Sequence, residues 1–226
     1  MTTVDATAGE SGRPAAAAEE APAAPAVVGP MAGDPSIFGL GSFIAGSVAL
    51  GLSLVGVVPF GVLGAPLAII VAATALGLLM ATIWAAAVGQ SAVAAVFGIF
   101  GTFWLSYAVL VLGLDHNWFA IGLTAVIPTV KLFLLTWLII IVMLTLATLR
   151  LPSAFTGVFT LVALALLFLY LAFAEASPLG VPSSGLLKAA GYVILVFAAL
   201  GVYLFVNASA VGTGGKALPL GRPIQH

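Results

Sequence analysis

Cysteine is absent from all 226 residues, which excludes disulfides, thiolate metal sites and cysteine nucleophiles together. Histidine occurs twice, once as the terminal His226, too few for a histidine-based metal centre. No metal or other cofactor is therefore expected, and His116 reads as a solvated loop residue. Charge is scarce as well. Asp, Glu, Lys and Arg make up 6% of the chain, where a soluble domain carries about 25%. Five of those charges lie in the first twenty residues. A net charge of −1 supplies no basic stripe, so nucleic acid is not expected as a partner. A secretory signal would place an apolar stretch behind a basic start within about 30 residues, and the N-terminus does not do this.

What is present is apolar: 63% hydrophobic residues and a mean hydropathy of +1.30. A water-soluble globule of this composition cannot cover its surface with polar groups. The sequence predicts an all-α integral membrane protein, six transmembrane helices in a bundle behind a disordered Ala/Pro-rich tail at Met1–Gly33. Asp34-Pro35 reads as a helix start, with Asp as N-cap and Pro at the first helical position. A crossing needs roughly 20 apolar residues, and six stretches qualify: Phe38–Val58, Pro66–Val88, Ala92–Leu114, Val130–Leu149, Ala154–Phe173 and Leu187–Val206. The transmembrane domain then covers 34–209 and a short C-terminal tail 210–226. The fourth span is placed after Pro128, which interrupts helical bonding, and with Lys131 at an interface. Asp115–Thr129 becomes a connecting segment lying on or dipping into the membrane. With both termini cytoplasmic in the inner (plasma) membrane, Arg13, Arg150, Lys216 and Arg222 face inward and Lys131 and Lys188 outward, as the positive-inside rule prefers.

No Asp, Glu or Arg falls inside a predicted span. That argues against an ion-coupled pump with an intramembrane carboxylate relay. Intramembrane proteolysis is also unsupported, because no Ser/His or Asp/Asp pair can be assembled within the spans. Small residues recur at four-residue spacing instead: Ser42/Gly46 and Ser47/Gly51, Ala73/Gly77/Ala81/Ala85, and Ala94/Gly98/Thr102/Ser106. Such ladders let helix backbones approach closely, and they can also leave room for a narrow path. The polar inventory at depth is hydroxyls and phenols, Thr74, Thr102 and Tyr203 among them. One alone most often bonds back to its own helix; several together can replace part of a small solute's hydration shell.

Asp34-Pro35-Ser36-Ile37-Phe38-Gly39-Leu40 resembles the N-terminal signature of the acetate uptake transporter family (GPR1/FUN34/YaaH), which reads Asn-Pro-Ala/Val-Pro-Leu/Phe-Gly-Leu; Pro35, Phe38, Gly39 and Leu40 match. Further along, Phe100-Gly101-Thr102-Phe103-Trp104-Leu105 is similar to the family's Tyr-Gly-Ser/Ala-Phe-Trp-Leu stretch. Trp137 resembles a span-four tryptophan, and Ala190-Gly191-Tyr192, Tyr203 and Leu218-Pro219-Leu220-Gly221 resemble the family's C-terminal pattern. The likeness runs co-linearly from Asp34 to Gly221.

The resemblance implies a six-helix protomer assembled into a hexamer, each copy carrying its own pore for acetate and other short carboxylates such as succinate, passively or with protons, and no enzyme activity. It implies a pore narrowed by Phe43 and by Phe100, which stands where the family has tyrosine, with a span-five leucine (Leu161 or Leu164) completing it. Asp34 at the mouth, Thr102 and Tyr203 join these as candidate pathway residues. The departures are Asp34 for Asn, Phe100 for Tyr, Ala85 for an acidic residue and Gly89-Gln90 for Gly-Asn. The lipid bilayer, a small carboxylate and protons are the expected partners. A urea or short-amide channel and a non-transporting membrane scaffold are the alternatives.

Overall fold

A computed structural model describes residues 32–59, 62, 64–177 and 179–225. The disordered tail expected over Met1–Gly33 lies outside these residues, except for Ala32 and Gly33. Among the described residues, six helices are long and apolar enough to cross a membrane: α1 (Pro35–Val55), α2 (Leu67–Ala87), α3 (Ser91–Asp115), α4 (Leu123–Ala147), α5 (Ser153–Ala174) and α6 (Ser184–Gly212). No strand occurs among the described residues. The chain is a multi-pass, all-helical membrane protein.

Local chemistry explains the helix ends. The Asp34 carboxylate accepts the Ser36 N–H at 2.8 Å and Pro35 occupies the first helical position, so two of the orphan positions of the first turn are dealt with. At the other end Gly56 adopts φ 101, and its N–H bonds back to Leu52 and Ser53; glycine takes this left-handed turn without a Cβ penalty. Within α2 the residues Ile70–Ala75 form a π-helical turn. A turn one residue wider rotates everything after it, which decides which face of α2 meets its neighbours.

Two boundaries differ from the sequence expectation. Helix α4 starts at Leu123, seven residues before Val130, and carries Pro128 inside it. The proline forfeits a single backbone bond to Thr124, a loss the second helical turn tolerates. Lys131 consequently lies in the third turn, from which a long aliphatic stem can carry its ammonium toward the interface. The connector is thus residues 116–122, where Asn117 and Ala120 take positive φ and Trp118 is 60% exposed. Helix α6 runs on to Gly212, through the 209/210 boundary expected between domain and tail.

Beyond α6 the chain forms a strap. The Tyr203 hydroxyl donates to Pro219 O at 2.7 Å, and Asn207 Oδ1 accepts the Leu218 N–H at 2.7 Å. Leu220 O then accepts the Ala154 N–H at 3.0 Å, and the Ile224 and Gln225 N–H groups both donate to Leu149 O at 3.0 Å. Helix α5 has no side-chain cap at its N-terminus; the strap supplies one from its backbone and also serves an orphan carbonyl just past α4. Gly221 has φ 81, and a Cβ there would run into the Ser153 hydroxyl.

The helices form a ring. Helix α1 packs between α2 and α6, α2 continues to α3, and α6 continues through α5 to α4. Glycines set the close approaches: a Cβ on Gly46 would meet Thr74 Oγ1 at 2.5 Å, on Gly191 it would meet Leu54 Cβ at 2.9 Å, and on Gly51 Leu195 Cδ2 at 2.9 Å. Small faces permit short interaxial distances where no hydrophobic effect drives helix association. Helices α3 and α4 close the ring through side chains, with Phe103 edge-on to Trp137 (centroids 5.2 Å, 81°) and beside Phe133 (6.1 Å).

Because the strap caps two helix ends, Gly221→Ala is expected to destabilise the protein by more than about 1 kcal/mol through the positive φ alone. Tyr203→Phe should cost about 0.5–1.5 kcal/mol for one hydrogen bond. Thermal unfolding of the detergent-solubilised protein measures both, and unchanged midpoints would mean that the strap contributes nothing to stability.

Candidate functional site

The centre of the ring is filled by phenylalanine. Phe43 (α1) meets Phe100 (α3) edge to face, with centroids 5.0 Å apart at 70°. Phe197 (α6) stacks on Phe43 at 5.7 Å and Phe159 (α5) on Phe100 at 5.7 Å. None of the four is more than 5% exposed. Helical phase puts them there: on α1 the buried residues Gly39, Phe43, Gly46, Leu50 and Leu54 recur every three or four residues, and on α3 Phe97, Phe100, Trp104 and Ala108 do the same. Edge-to-face and offset-stacked rings are each favourable by about 0.5–1.5 kcal/mol beyond the area they bury.

Among the described residues, the buried polar or charged side chains are Ser42, Ser47, Thr74, Thr148 and Thr156, all hydroxyls. Most hydroxyls in the helices behave as expected, bonding to a carbonyl three or four residues back: Ser47 to Phe43 O at 2.7 Å, Thr82 to Leu78 O at 2.8 Å, Thr145 to Ile141 O at 2.8 Å. Thr74 is an exception. Its hydroxyl and the indole N–H of Trp104 are buried without a hydrogen-bond partner.

The sequence-derived pathway residues separate into two groups. Phe43 and Phe100 come together at the centre. Leu161 and Leu164 are half-buried and lie two and five residues beyond Phe159, about 160° and 140° away around α5. The α5 side chain that reaches Phe100 is therefore Phe159, not either leucine. Asp34 is exposed and its carboxylate is occupied by the Ser36 N–H; nine residues separate it from Phe43, about 13 Å along the helix. Thr102 is exposed on the outer face of α3 and bonds back to Gly98 and Ile99. Tyr203 anchors the strap.

The family-signature residues have structural explanations. Pro35 is buried at the start of α1, Gly39 lies against the Phe97 ring, and Leu40 packs on the core. Phe38 is 42% exposed and faces outward beside Met80, Ile83 and Trp84. Phe103, Trp104 and Trp137 belong to the aromatic contact that joins α3 to α4. Gly191 admits α1, while Pro219 and Gly221 shape the strap. Phe159 and Phe197 were not singled out from the sequence. Each stands at a buried position of its helix, yet an isolated Phe in an apolar span resembles any lipid-facing one, so only the packing distinguishes them.

The sequence profile of the GPR1/FUN34/yaaH family matches residues 18–213. The chain belongs to this family. Among solved structures, that of the bacterial acetate channel SatP superimposes with a TM-score of 0.70 at 20% identity, covering 83% of this chain and 98% of that one. This likeness establishes the family's fold here. No curated protein matches the chain. The family match ends at residue 213, before the Leu218–Gly221 part of the strap.

If the four rings form one contact network, Phe100→Ala and Phe159→Ala will not add. A double-mutant cycle on unfolding free energy is expected to give a coupling of about 0.5–1.5 kcal/mol, with Leu164→Ala uncoupled to Phe100→Ala. Strict additivity of the first pair would show that the stack is not formed.

Proposed function

We propose that this protein is a membrane conduit for acetate and similar short monocarboxylates, with the four-phenylalanine plug as its gate. The observation that carries the reading is the plug itself: a ring of six helices whose middle is closed by Phe43, Phe100, Phe159 and Phe197 and holds no buried charge among the described residues. Support comes from membership of the family and from the shared fold of a bacterial acetate channel. The distribution of Lys and Arg favours both termini in the cytoplasm, and the family resemblance underlies our placing of the protein in the inner membrane as a homo-hexamer. The outer faces of α2 and α4 carry exposed Met80, Ile83, Leu132 and Ile139, suited to lipid or to a neighbouring copy.

The physics of the gate favours weak, fast passage. An arginine or lysine in the path would hold a carboxylate tightly and slow its release, whereas conduction needs binding weak enough to leave. Moving a bare carboxylate through a dry phenyl plug is costly, so the solute passes either when the rings part or as the neutral acid. Carboxylic acids with pKa near 4 become protonated about tenfold more per pH unit lowered between 7 and 5. The neutral-acid route therefore accelerates on the acid side, which is the sense in which flux is proton-linked. Phe100, lacking the phenol that the family's tyrosine would bring, leaves the gate without a hydrogen-bond donor of its own.

Proteoliposomes loaded with the full chain are expected to take up labelled acetate saturably, faster at pH 5 than at pH 7 after subtraction of protein-free vesicles, with urea excluded. Phe43→Ala should admit larger carboxylates such as succinate while acetate uptake persists. Urea uptake without acetate uptake would replace the reading with a neutral-solute channel, and no permeability above empty vesicles would leave a scaffold.

A further inference from the structure

We infer that Thr74 and Trp104 form a hydrogen-bonding station for the carboxyl group of the permeating acid, one helical turn from the phenyl plug. The inference rests on the proposed conduit and assigns these residues a role within it. Among the described residues, three buried side-chain donors have no hydrogen-bond partner: Ser209, near the end of α6, and two in the core, Thr74, fully buried, and Trp104, 2% exposed. Leaving a buried donor unsatisfied is costly, and native structures rarely carry one without a ligand, water or ion to meet it.

Both core donors lie at one level, one turn past the Phe43–Phe100 contact. A Cβ on Gly46 would meet Thr74 Oγ1 at 2.5 Å, and Gly46 is three residues past Phe43 on α1. Trp104 is four residues past Phe100 on α3. The register of contacts makes α2 antiparallel to both: Gly46 faces Thr74 while Ser42 faces Gly77, and Gly98 faces Thr82 while Gly101 faces Leu79. Helices α1 and α3 are hence parallel, and "one turn past" leads in the same direction on each, toward Val55 and Asp115. Extending the α2–α3 register by one turn brings Trp104 level with Thr74 and Ala75.

Local structure explains why Thr74 stays free. It sits in the π turn Ile70–Ala75, where Leu76 N–H bonds to Val71 O, five residues back. Its hydroxyl faces a glycine on α1 and does not make the back-bond that Ser47, Thr82 and Thr145 make. The indole N–H is a donor only, and a carboxylate is an acceptor only. Two neutral donors one turn past the Phe43 and Phe100 rings suit a molecule with one carboxyl end and one short apolar end. A methyl or ethyl group would face Phe43 and Phe100. A second carboxylate, as in succinate, would have to face the rings.

The test uses the full chain with Thr74→Val, Thr74→Ser and Trp104→Phe. Acetate-dependent thermal shift reports binding, and proteoliposome uptake reports flux. Wild type and Thr74→Ser are expected to show the same acetate-induced shift. Thr74→Val and Trp104→Phe should lose it, with apparent KM for acetate raised about tenfold and maximal uptake within about twofold of wild type. Thr74→Val differs by a methyl in place of a hydroxyl, so it keeps the packing if Trp104→Phe does not fold. A KM and shift in Thr74→Val equal to wild type would overturn the station while leaving the conduit standing. A hydroxyl-dependent shift with no acetate flux would uphold the station and remove the conduit.

Discussion

The contact between the Phe43 and Phe100 rings, with Gly39 seated against the Phe97 ring one turn away, joins α1 to α3 across the inside of the ring, and the filled centre of the bundle is built around it. Six helices arranged as a ring leave an axis, and an axis must be filled or wet. Here it is filled by rings from α1, α3, α5 and α6, one pair edge to face and two pairs stacked. Phenyl rings fill without forming hydrogen bonds, so the centre is closed by dispersion and quadrupole contacts that can separate without leaving a polar group unsatisfied. That is a reasonable property for a gate.

Everything around this centre serves to bring the rings together at the right distance. Glycines 46, 51, 77 and 191 let α1 approach α2 and α6 closely, which a larger side chain would prevent. The aromatic contact of Phe103 and Trp137 closes the side where α3 and α4 do not touch through backbone-close packing. The strap ties the end of α6 to the turn between α4 and α5 through backbone and side-chain contacts whose partners are Tyr203, Asn207, Leu149 and Ala154.

The six crossings were legible because apolar length is a strong signal when water cannot satisfy the backbone. Asp34-Pro35 also announced its helix start correctly, since the cap is a local matter of two residues. Pro128 misled because a proline in the second turn of a helix forfeits only one backbone bond, and the helix runs through it. At the centre, Phe43 and Phe100 were identified through the family resemblance, whereas Phe159 and Phe197 were invisible for lack of any periodic or polar signal. The unpaired state of Thr74 depended on a π turn that no sequence pattern encodes.

Because the chain has no cysteine, a thiol introduced at one position reports on that position alone. Ala163 is one turn past Phe159 on α5. On α6, Gly201 abuts Phe43 itself, and Leu204 lies about one turn beyond it; these helices run in opposite directions, so Ala163 and Leu204 lie on opposite sides of the plug. Single Ala163→Cys and Leu204→Cys variants in sealed vesicles would be treated from each side in turn with a small membrane-impermeant thiol reagent. With the phenyl rings as the barrier, each cysteine is modified from one side only, and the two from opposite sides. Modification of both cysteines from the same side would contradict the gate, because the phenyl rings would then not be the barrier.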